Sequence, residues 1–247
     1  MSVNILGVRC DNLTIKNALE KTASLLISEK KANIFFLNAD CLLKSTLDPD
    51  YFGILNSAGD LILPDGIGLR CAALFLHKKW LPDCNGTDFS PQLIKHAAEE
   101  KYKIFFIGSK IGIAEKAADN IYKKNPQIQI TGTHHGYFSN DDTVIKKIND
   151  SGADILFVSM SAPLQEKWIY RNREKLNPKL CLGVGALLDY LAGSLPRAPK
   201  FLRWLHLEWL WRILIEPDRM IKRYIIDGTR LFFIVLRYKV SGSKFVL

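Results

Sequence analysis

The sequence lacks the marks of secreted, membrane-spanning and metal-stabilised proteins. Its five cysteines are widely spaced and form no Cys-x-x-Cys pair of the kind found in zinc knuckles or small disulfide frameworks. No run approaches the ~18–20 apolar residues that a membrane span requires. Residues 1–5 contain no basic stretch leading into a long apolar one, so we expect no secretory signal. These absences favour a reduced, cytosolic compartment.

What is present fits a folded protein with a sizeable core. The chain has 247 residues, of which 48% are hydrophobic. This length accommodates one α/β domain, or one domain with an appendage, and the composition excludes wholesale disorder.

The positive charge is concentrated at the C-terminal end. From residue 196 onward there are eleven Lys and Arg against four Asp and Glu, so this end carries most of the net charge of +9. It also holds three of the five tryptophans. A basic, aromatic-rich segment predicts a polyanionic partner, either nucleic acid or a membrane surface with anionic head groups.

Short apolar runs alternate with longer amphipathic stretches before residue 195. The runs are rich in Ile, Phe and Val without alternation, which is typical of strands buried on both faces of a parallel sheet. The order predicts a doubly wound α/β sheet whose strand ends share one edge, where ligands bind. The expected strands are 33–38, 103–108, 128–133, 154–159 and 180–184; the expected helices are 14–28, 69–76, 88–100, 113–124, 141–149 and 163–175.

A change of character near residue 195 predicts a division into a core of residues 1–195 and an appendage of residues 196–247. Two prolines, Pro196 and Pro199, interrupt the pattern there. Beyond them, we expect two or three basic helices, broken at Pro217 and at Gly228.

The first candidate site is Asp65, in the sequence L-P-D-G-I-G at residues 63–68. Proline and two glycines around one acid predict a tight turn entering a helix. The carboxylate could act as a general base toward an attacking hydroxyl. It could equally be a helix N-cap, since Asp is favoured there. The turn alone leaves both interpretations open.

Three further glycine or small-residue turns follow expected strands. Residues 108–112, G-S-K-I-G, could hold a phosphate on backbone amides at a helix start, or form an ordinary loop. In residues 159–168, Gln165 could hydrogen-bond a uracil, a sugar or a diphosphate. In residues 183–189, Gly185 would let a ligand or a neighbouring backbone approach closely.

Neither a metal nor a redox cofactor is indicated. His134 and His135 are adjacent, so they cannot face one site from a regular element. The D-x-D triplet at residues 48–50 lies among turn formers, and we interpret it as a turn. A Rossmann oxidoreductase would need G-x-G-x-x-G after its first strand, and no such motif occurs. No RNA- or DNA-binding signature accompanies the basic end.

Taken together, the motifs resemble a known family. In order along the chain they are P-D-G-I-G, G-T-D, F-F-I-G-S-K-x-G, G-T-H-H-G-Y-F, A-P-x-Q-E-x-W, G-V-G-A-x-x-D-x-x-A-G, R-A-P and L-E-W-L-W-R-x-x-x-E-P-x-R. Each motif is weak alone, but eight in register resemble the WecG/TagA/CpsF glycosyltransferases (glycosyltransferase family 26). The resemblance covers about residues 33–224.

This resemblance implies a Rossmann-like core and an inverting transfer from a UDP-sugar to a sugar on polyprenyl diphosphate, without an essential metal or other cofactor. It also implies that the enzyme works at the cytoplasmic face of a bacterial membrane, in cell-surface polysaccharide synthesis. The C-terminal appendage is then expected to contribute to the active site and to membrane association. UDP-N-acetylmannosamine, its uronic acid and UDP-glucose are all family donors, so the donor stays open. Self-association is also implied.

Residue by residue, the resemblance makes Asp65 the catalytic base and matches Asn38, Asp40 and Gln165 to polar positions of the family. Three departures stand out: Phe36 occupies a Thr position, residues 82–86 lack the usual Arg, and Ser159 replaces a Gly. These departures leave a weakened or non-catalytic relative as an alternative, beside a nucleic-acid-binding protein. Motifs and resemblance together predict these substrate-binding residues: Asn38, Asp40, Gly66, Gly68, Asn85, Thr87, Asp88, Gly108, Ser109, Lys110, Gln165, Gly185, Arg212, Arg219, Lys222 and Arg223.

Overall fold

The structure is a computed structural model, and it describes residues 2–242. In chain order its strands are β1 (Ser2–Ile5), β2 (Val8–Asp11), β3 (Ala32–Leu37), β4 (Leu61–Pro64), β5 (Lys103–Gly108), β6 (Gln129–His134), β7 (Ile155–Ser159) and β8 (Leu180–Gly183). Its helices are α1 (Ile15–Ile27), α2 (Ala39–Leu47), α3 (Pro49–Ala58), α4 (Ile67–His77), α5 (Gly86–Glu99), α6 (Ile113–Lys124), α7 (Asp141–Asp150), α8 (Leu164–Asn172), α9 (Leu187–Leu191), α10 (Lys200–Trp204), α11 (Glu208–Ile215), α12 (Pro217–Ile221) and α13 (Asp227–Ser241).

Six parallel strands form the central sheet in the order β4-β3-β8-β7-β5-β6. Every residue of β3, β4, β7 and β8 is buried, which explains their largely apolar sequences. Along β3, Ile34 and Phe36 face one hydrophobic cluster while Phe35 and Leu37 face another. Helices α1, α5, α6 and α9 cover the first face, and α2, α3, α4, α7, α8 and α13 cover the second. The prediction of a doubly wound, Rossmann-like sheet is confirmed.

Several short elements were not predicted from the sequence. Strands β1 and β2 form an antiparallel hairpin outside the central sheet, turning at Leu6 and Gly7 with φ of 49° and 85°. The hairpin is fastened to the sheet because Asp11 Oδ2 accepts a hydrogen bond from the Ile62 N–H at 2.9 Å. Strand β4 and helices α2 and α3 also lacked a clear periodic signal, since each has ten residues or fewer.

The prediction that residues 48–50 form a turn was wrong. Asp48 is the N-cap of α3, where its side chain accepts a hydrogen bond from the Tyr51 N–H at 3.0 Å, and Pro49 begins the helix. Aspartate at the N-cap followed by proline is a strong helix-start signal. Asp48 also forms an ion pair with Lys167 of α8, with Nζ and Oδ2 2.6 Å apart.

Two other predicted boundaries were misplaced. Helix α5 begins at Gly86 and not at residue 88, and its cap is Asn85, whose Oδ1 accepts from the Asp88 N–H at 2.9 Å. Helix α13 runs through Gly228 without a break; the irregularity lies before it, in a π-helical turn at Lys222–Ile226. The expected break at Pro217 is confirmed, because that residue begins α12.

The C-terminal segment, residues 196–242, is here called the tail. Helices α10 and α11 contain no buried residue, and α12 contains one, Met220. Helix α13 returns to the core, where Leu231 and Val235 join the cluster packed against α2 and α4, and Lys239 Nζ donates to the Leu76 carbonyl at 2.7 Å. The division into domains at residue 195 stays a prediction. Within residues 2–242, no helix is both long and apolar enough to cross a membrane.

Candidate active site

The site begins where β3 and β4 end side by side. Phe36 is paired with Leu63 in the parallel register, so Asn38 and Asp65 follow the two strands at the same edge. The Asp65 N–H donates to the Leu37 carbonyl at 2.9 Å, and Asn38 Nδ2 lies 3.4 Å from Asp65 Oδ2. Asn38 is itself held, because its Oδ1 caps α2 through the Cys41 N–H at 3.0 Å. The end of β3 and the end of β4 thus bring these two side chains together.

Asp65 does not cap the helix that follows it. The N-cap of α4 is Gly66, at φ 80°, and no side chain accepts a hydrogen bond from the start of this helix. A positive φ of this kind favours glycine. Gly68 is exposed on the first turn, where an added Cβ would come 3.0 Å from Ala39 Cβ. The capping interpretation is thus wrong, and the Asp65 carboxylate is available for chemistry.

The surroundings of Asp65 raise its pKa to about 6, chiefly because protein atoms desolvate the carboxylate and next because Asp83 lies nearby. The hydrogen bond from Asn38 and the charge of Arg223 act in the opposite direction. A carboxylate whose pKa approaches the working pH is a stronger base than an exposed one and still largely ionised at neutral pH.

Arg223 brings the tail to this edge of the sheet. Its Nη2 lies 3.5 Å from Asp40 Oδ2 and 3.5 Å from Asn38 Oδ1. Asp40 also pairs with Lys44 at 2.9 Å. Burial alone would lower the pKa of Arg223, but the charge of Asp40, with smaller contributions from Tyr224, Cys41 and Asp65, outweighs it and the pKa lies above its usual value. A fixed cation therefore stands close to the candidate base.

The other three basic residues predicted from the tail lie elsewhere in it. Arg212 lies 5.9 Å from the ring centre of Tyr190 and 3.8 Å from Glu216, and Arg219 pairs with the same Glu216 at 2.6 Å. Lys222 is exposed. Their assignment to substrate binding stays a prediction.

A second group of polar residues lies at the ends of β5, β7 and β8. Ser109, at φ 56°, donates from Oγ to Asp189 Oδ2 at 2.7 Å and lies 3.4 Å from Ser159 Oγ. Gly108 has φ 133°, and a Cβ there would come 2.1 Å from the Ser159 carbonyl oxygen, so only glycine fits. Lys110 is exposed just beyond this turn. The motif G-S-K-x-G is thus a strained, tightly packed turn at the predicted edge.

Gln165 and Gly185 are brought into contact in this second group. The Gly185 N–H, at φ 58°, donates to Gln165 Oε1 at 2.8 Å, and the Gly185 carbonyl accepts from Ser159 Oγ at 2.5 Å. Gln165 is only 4% exposed. The side-chain amide of Gln165 therefore holds the Gly185 turn in place through this hydrogen bond.

The loop before α5 fastens the tail to the core. Asp88 Oδ1 lies 2.8 Å from Arg197 Nη2 and 3.8 Å from Arg203 Nη1, and the Thr87 carbonyl accepts from Arg197 Nη1 at 3.4 Å. Asn85 Nδ2 donates to Asp88 Oδ2 at 2.9 Å. These contacts are internal to the protein, and the substrate role predicted for the three loop residues stays a prediction.

Three residues that were not predicted as site residues lie in or next to these groups: Asp83, Asp189 and His206. The Gly66 N–H lies 3.4 Å from Asp83 Oδ1, and Asp83 Oδ2 lies 4.0 Å from His206 Nδ1. The unusual loop at residues 82–86 was the one signal that could have marked Asp83. Phe36, the other departure, is explained by packing: it lies 5.7 Å from Phe89 between ring centres and against Gly86.

The adjacent histidines form no metal site with other residues. His134 Nδ1 lies 2.7 Å from the His135 carbonyl, and His135 Nδ1 accepts from the Tyr137 N–H at 3.1 Å. Throughout residues 2–242, no three or more His, Cys, Asp or Glu side chains are grouped to hold a metal ion.

Comparison with known proteins connects this geometry to a family. The model of the glycosyl transferase WecG/TagA/CpsF family matches residues 3–245. The chain is 31% identical over 245 residues to the N-acetylglucosaminyldiphosphoundecaprenol N-acetyl-beta-D-mannosaminyltransferase of a Staphylococcus aureus strain, covering 98% of this chain and 93% of that protein. A protein of the same name from Bacillus spizizenii is 30% identical over 219 residues, covering 89% and 84%. As its motifs predict, the chain belongs to the WecG/TagA/CpsF family of glycosyl transferases.

Proposed function

We propose that this chain is a hexosyltransferase that moves a hexose or N-acetylhexosamine from a UDP-sugar to a saccharide carried on polyprenyl diphosphate, for bacterial cell-surface polysaccharide synthesis. Relatives named as N-acetylmannosaminyltransferases of an undecaprenyl-diphosphate-linked sugar support the acceptor class, because the alignment covers nearly the whole chain. They also favour N-acetylmannosamine as the first donor to try.

The observation that carries the proposal is the Asp65 carboxylate. It follows β4 at the ligand-binding edge, caps no helix, and has its pKa raised to about 6. Asp65 removes the proton from an acceptor hydroxyl, whose oxygen attacks the anomeric carbon of the donor. The bond from that carbon to the UDP oxygen breaks, and UDP leaves with the electron pair. A single displacement of this kind inverts the anomeric centre.

Negative charge develops on the UDP diphosphate as that bond breaks, so fixed cations or helix N-termini near it lower the barrier. Arg223 supports this part of the proposal, because it is held at the same edge by Asp40 and Asn38. Arginine matches phosphate oxygens with two parallel donors. Arg212, Arg219 and Lys222 are further candidates from the same tail.

We also propose that the tail rests on the cytoplasmic surface of the membrane, where the lipid-linked acceptor resides. Large apolar side chains are exposed along it, including Trp204 at 80%, Phe232 at 59% and Phe233 at 61%. Interfacial binding combines such apolar groups with Lys and Arg that attract anionic head groups. The tail would then deliver Arg223 to the site while the protein is bound to the bilayer.

The transfer is tested by mass spectrometry with a panel of UDP-sugars and a short polyprenyl-diphosphate-linked N-acetylglucosamine. We expect one donor to give a product, and Asp65→Asn to lower kcat by about 10²–10⁴-fold, the usual contribution of a general base. Asp50→Asn is the matched control, because Asp50 is exposed on α3. Absence of transfer with every donor would refute the proposed activity, and full activity of Asp65→Asn would refute the role of the base.

Membrane docking is tested by flotation with vesicles containing anionic lipid and with neutral vesicles. We expect the wild type to float with the anionic vesicles in low salt, and replacement of both Phe232 and Phe233 by Ser to reduce binding. The pair Tyr122→Ser and Ile111→Ser removes two exposed apolar side chains from the core and serves as the control. Equal flotation of all three proteins would contradict docking through the tail.

A further inference from the structure

A buried carboxyl group lies beneath the second group of site residues. Glu166, in the first turn of α8, has no solvent exposure. Its Oε1 accepts a hydrogen bond from Gln165 Nε2 at 2.7 Å. Its Oε2 is buried and has no hydrogen-bond partner in the described part of the chain. An unpartnered buried carboxyl oxygen is costly, so a reason other than stability is needed to explain it.

The surroundings of Glu166 do little to compensate that cost. Burial raises the pKa of Glu166 to about 7; the Gln165 hydrogen bond, the backbone N–H of Glu166 and the charge of Lys44 lower it, while Asp40 raises it. Cys41 and Tyr51 are buried close enough to the carboxyl to interact with it electrostatically. Apolar side chains of similar volume often replace such buried groups without loss of stability.

Glu166 and the Gly185 N–H together match one orientation of the Gln165 amide. A backbone N–H can only donate, so the Gly185 N–H requires the oxygen of the Gln165 amide, and the NH₂ group must then face Glu166. If the amide turned over, its NH₂ would face the Gly185 N–H and its oxygen would face the carboxyl. Gly183 leaves the room for this arrangement, since a Cβ there would lie 2.9 Å from Gln165 Nε2.

The position of the amide matters because it holds a turn at the ligand-binding edge. Gly185 adopts φ 58°, and its two peptide groups are fastened on both sides: the N–H by Gln165 and the carbonyl by Ser159 Oγ. Ser159 in turn lies beside Ser109, whose hydroxyl donates to Asp189. A hydrogen-bonded chain therefore runs from the buried carboxyl through Gln165 and Gly185 to Ser159, which links the turns that end β7 and β8.

We propose that Glu166 is a positioning residue: it fixes the Gln165 amide so that the Gly185 turn is held in one conformation for the nucleotide sugar, and it does not itself touch substrate. The inference rests on the proposed function only in naming the substrate. A preorganised turn loses less freedom when a ligand binds, so loosening it weakens binding and slows transfer.

The test compares Glu166→Leu with Glu166→Gln and with Asn172→Leu. The glutamine oxygen can still accept from Gln165, so Glu166→Gln should keep transfer within about threefold of wild type. Glu166→Leu removes the acceptor, and we expect kcat/KM to fall by about tenfold or more while Tm stays equal or rises. Asn172 is a buried polar residue on the same helix that bonds Asp141 and the Trp168 carbonyl; Asn172→Leu should lower Tm and leave kcat/KM nearly unchanged.

A second measurement does not depend on activity. Hydrogen–deuterium exchange of residues 183–188 should be at least tenfold faster in Glu166→Leu than in wild type, with no change in Asn172→Leu. Equal exchange in wild type and Glu166→Leu would overturn the inference even if no donor is ever found. Transfer by wild type, together with unchanged transfer by Glu166→Leu, would overturn it while leaving the proposed function intact.

The double variant Gln165→Leu/Glu166→Leu shows whether Glu166 acts through Gln165. If it does, the second substitution should add less than about twofold to the loss of kcat/KM caused by Gln165→Leu, because the two residues form one unit. Independent, multiplied losses would show that Glu166 acts by another route and would refute the inference.

Discussion

The core and the tail are stabilised in different ways. The strands of the core are buried, and helices cover both faces of the sheet. In residues 2–242, by contrast, twelve of the twenty-two large hydrophobic side chains that are exposed lie after residue 200. The tail contacts the core through apolar residues of α13 and through charged pairs such as Arg223 with Asp40 and Arg197 with Asp88. The core is folded by its own burial, whereas the tail leaves an apolar surface that a bilayer could cover.

The largest contrast should appear in stability. Phe35 is fully buried in β3, and Phe35→Ala should lower the free energy of unfolding by ~3–5 kcal/mol, through lost burial and an unfilled cavity. Phe233 is 61% exposed, so Phe233→Ala should change the free energy by less than ~0.5 kcal/mol. Urea unfolding of the detergent-free protein measures both. A loss of several kcal/mol for Phe233→Ala would show that the tail is part of the core and would remove this contrast.

The next largest effect concerns Arg223, a tail cation held close to the base. Arg223→Gln should lower kcat by about 10²-fold with a smaller change in KM, since the charge it meets develops mainly in the transition state. Arg230 is the matched control: it is an exposed arginine of the same tail and pairs with Asp227 at 3.6 Å. Steady-state kinetics of both variants, with the donor identified by the screen, measure these changes in kcat and KM. Equal effects of Arg223→Gln and Arg230→Gln would argue that the tail contributes general charge only.

Loosening the contact between core and tail should have a smaller effect. Asp88→Asn removes the charge that meets Arg197 and Arg203, and a partly exposed ion pair of this kind contributes at most ~1 kcal/mol, or about fivefold in an opening equilibrium. We expect trypsin to cleave between residues 196 and 212 up to about fivefold faster. Asp142→Asn breaks an exposed pair with Lys175 in the core and should leave that cleavage rate unchanged.

The contrast between core and tail also explains what the sequence could predict. The five predicted strands were confirmed. Runs such as those of β5 and β7 are mostly apolar, as burial on both faces requires, whereas β6 at the sheet edge is only partly buried. Strand β4 and helices α2 and α3 were missed because short elements inside a packed fold are stabilised by tertiary contacts. Asp48 is an example. An acid followed by proline is compatible with a turn, and only the helix that follows identifies Asp48 as an N-cap.

For the site, the sequence indicated the residues but not their arrangement. Asn38 was expected at the end of a strand and Asp65 in a turn before a helix; they lie 3.4 Å apart between Nδ2 and Oδ2 because β3 and the unpredicted strand β4 are parallel neighbours. The neighbours of that pair could not be predicted. The roles of Asp83 and Glu166 depend on burial and on charges from distant segments of the chain. The spacing of residues along the sequence gives no information about burial or about those charges.

The smallest expected effect is a shift in the pH dependence of kcat/KM. It separates the effect of a core residue on the pKa of Asp65 from the effect of a tail residue. Burial and then Asp83 raise the pKa of Asp65 to about 6, so kcat/KM should fall as the pH falls through that value and the base becomes protonated. Asp83→Asn removes a negative charge that favours the proton, so the acidic limb should move to lower pH; the Asn oxygen can still accept from the Gly66 N–H.

Arg223→Gln should move the same limb to higher pH, because it removes a cation that favours the ionised base. Stability gives a check that needs no substrate. A carboxyl whose pKa is raised on folding destabilises the native state above its unfolded pKa, with the full penalty reached above about pH 6. Asp65→Asn should therefore have a higher Tm than wild type at pH 8, with the difference vanishing near pH 3.5. The acidic limb of the kcat/KM profile could instead move in the same direction in both variants. In that case Asp83 of the core and Arg223 of the tail would not act on Asp65 as opposing charges.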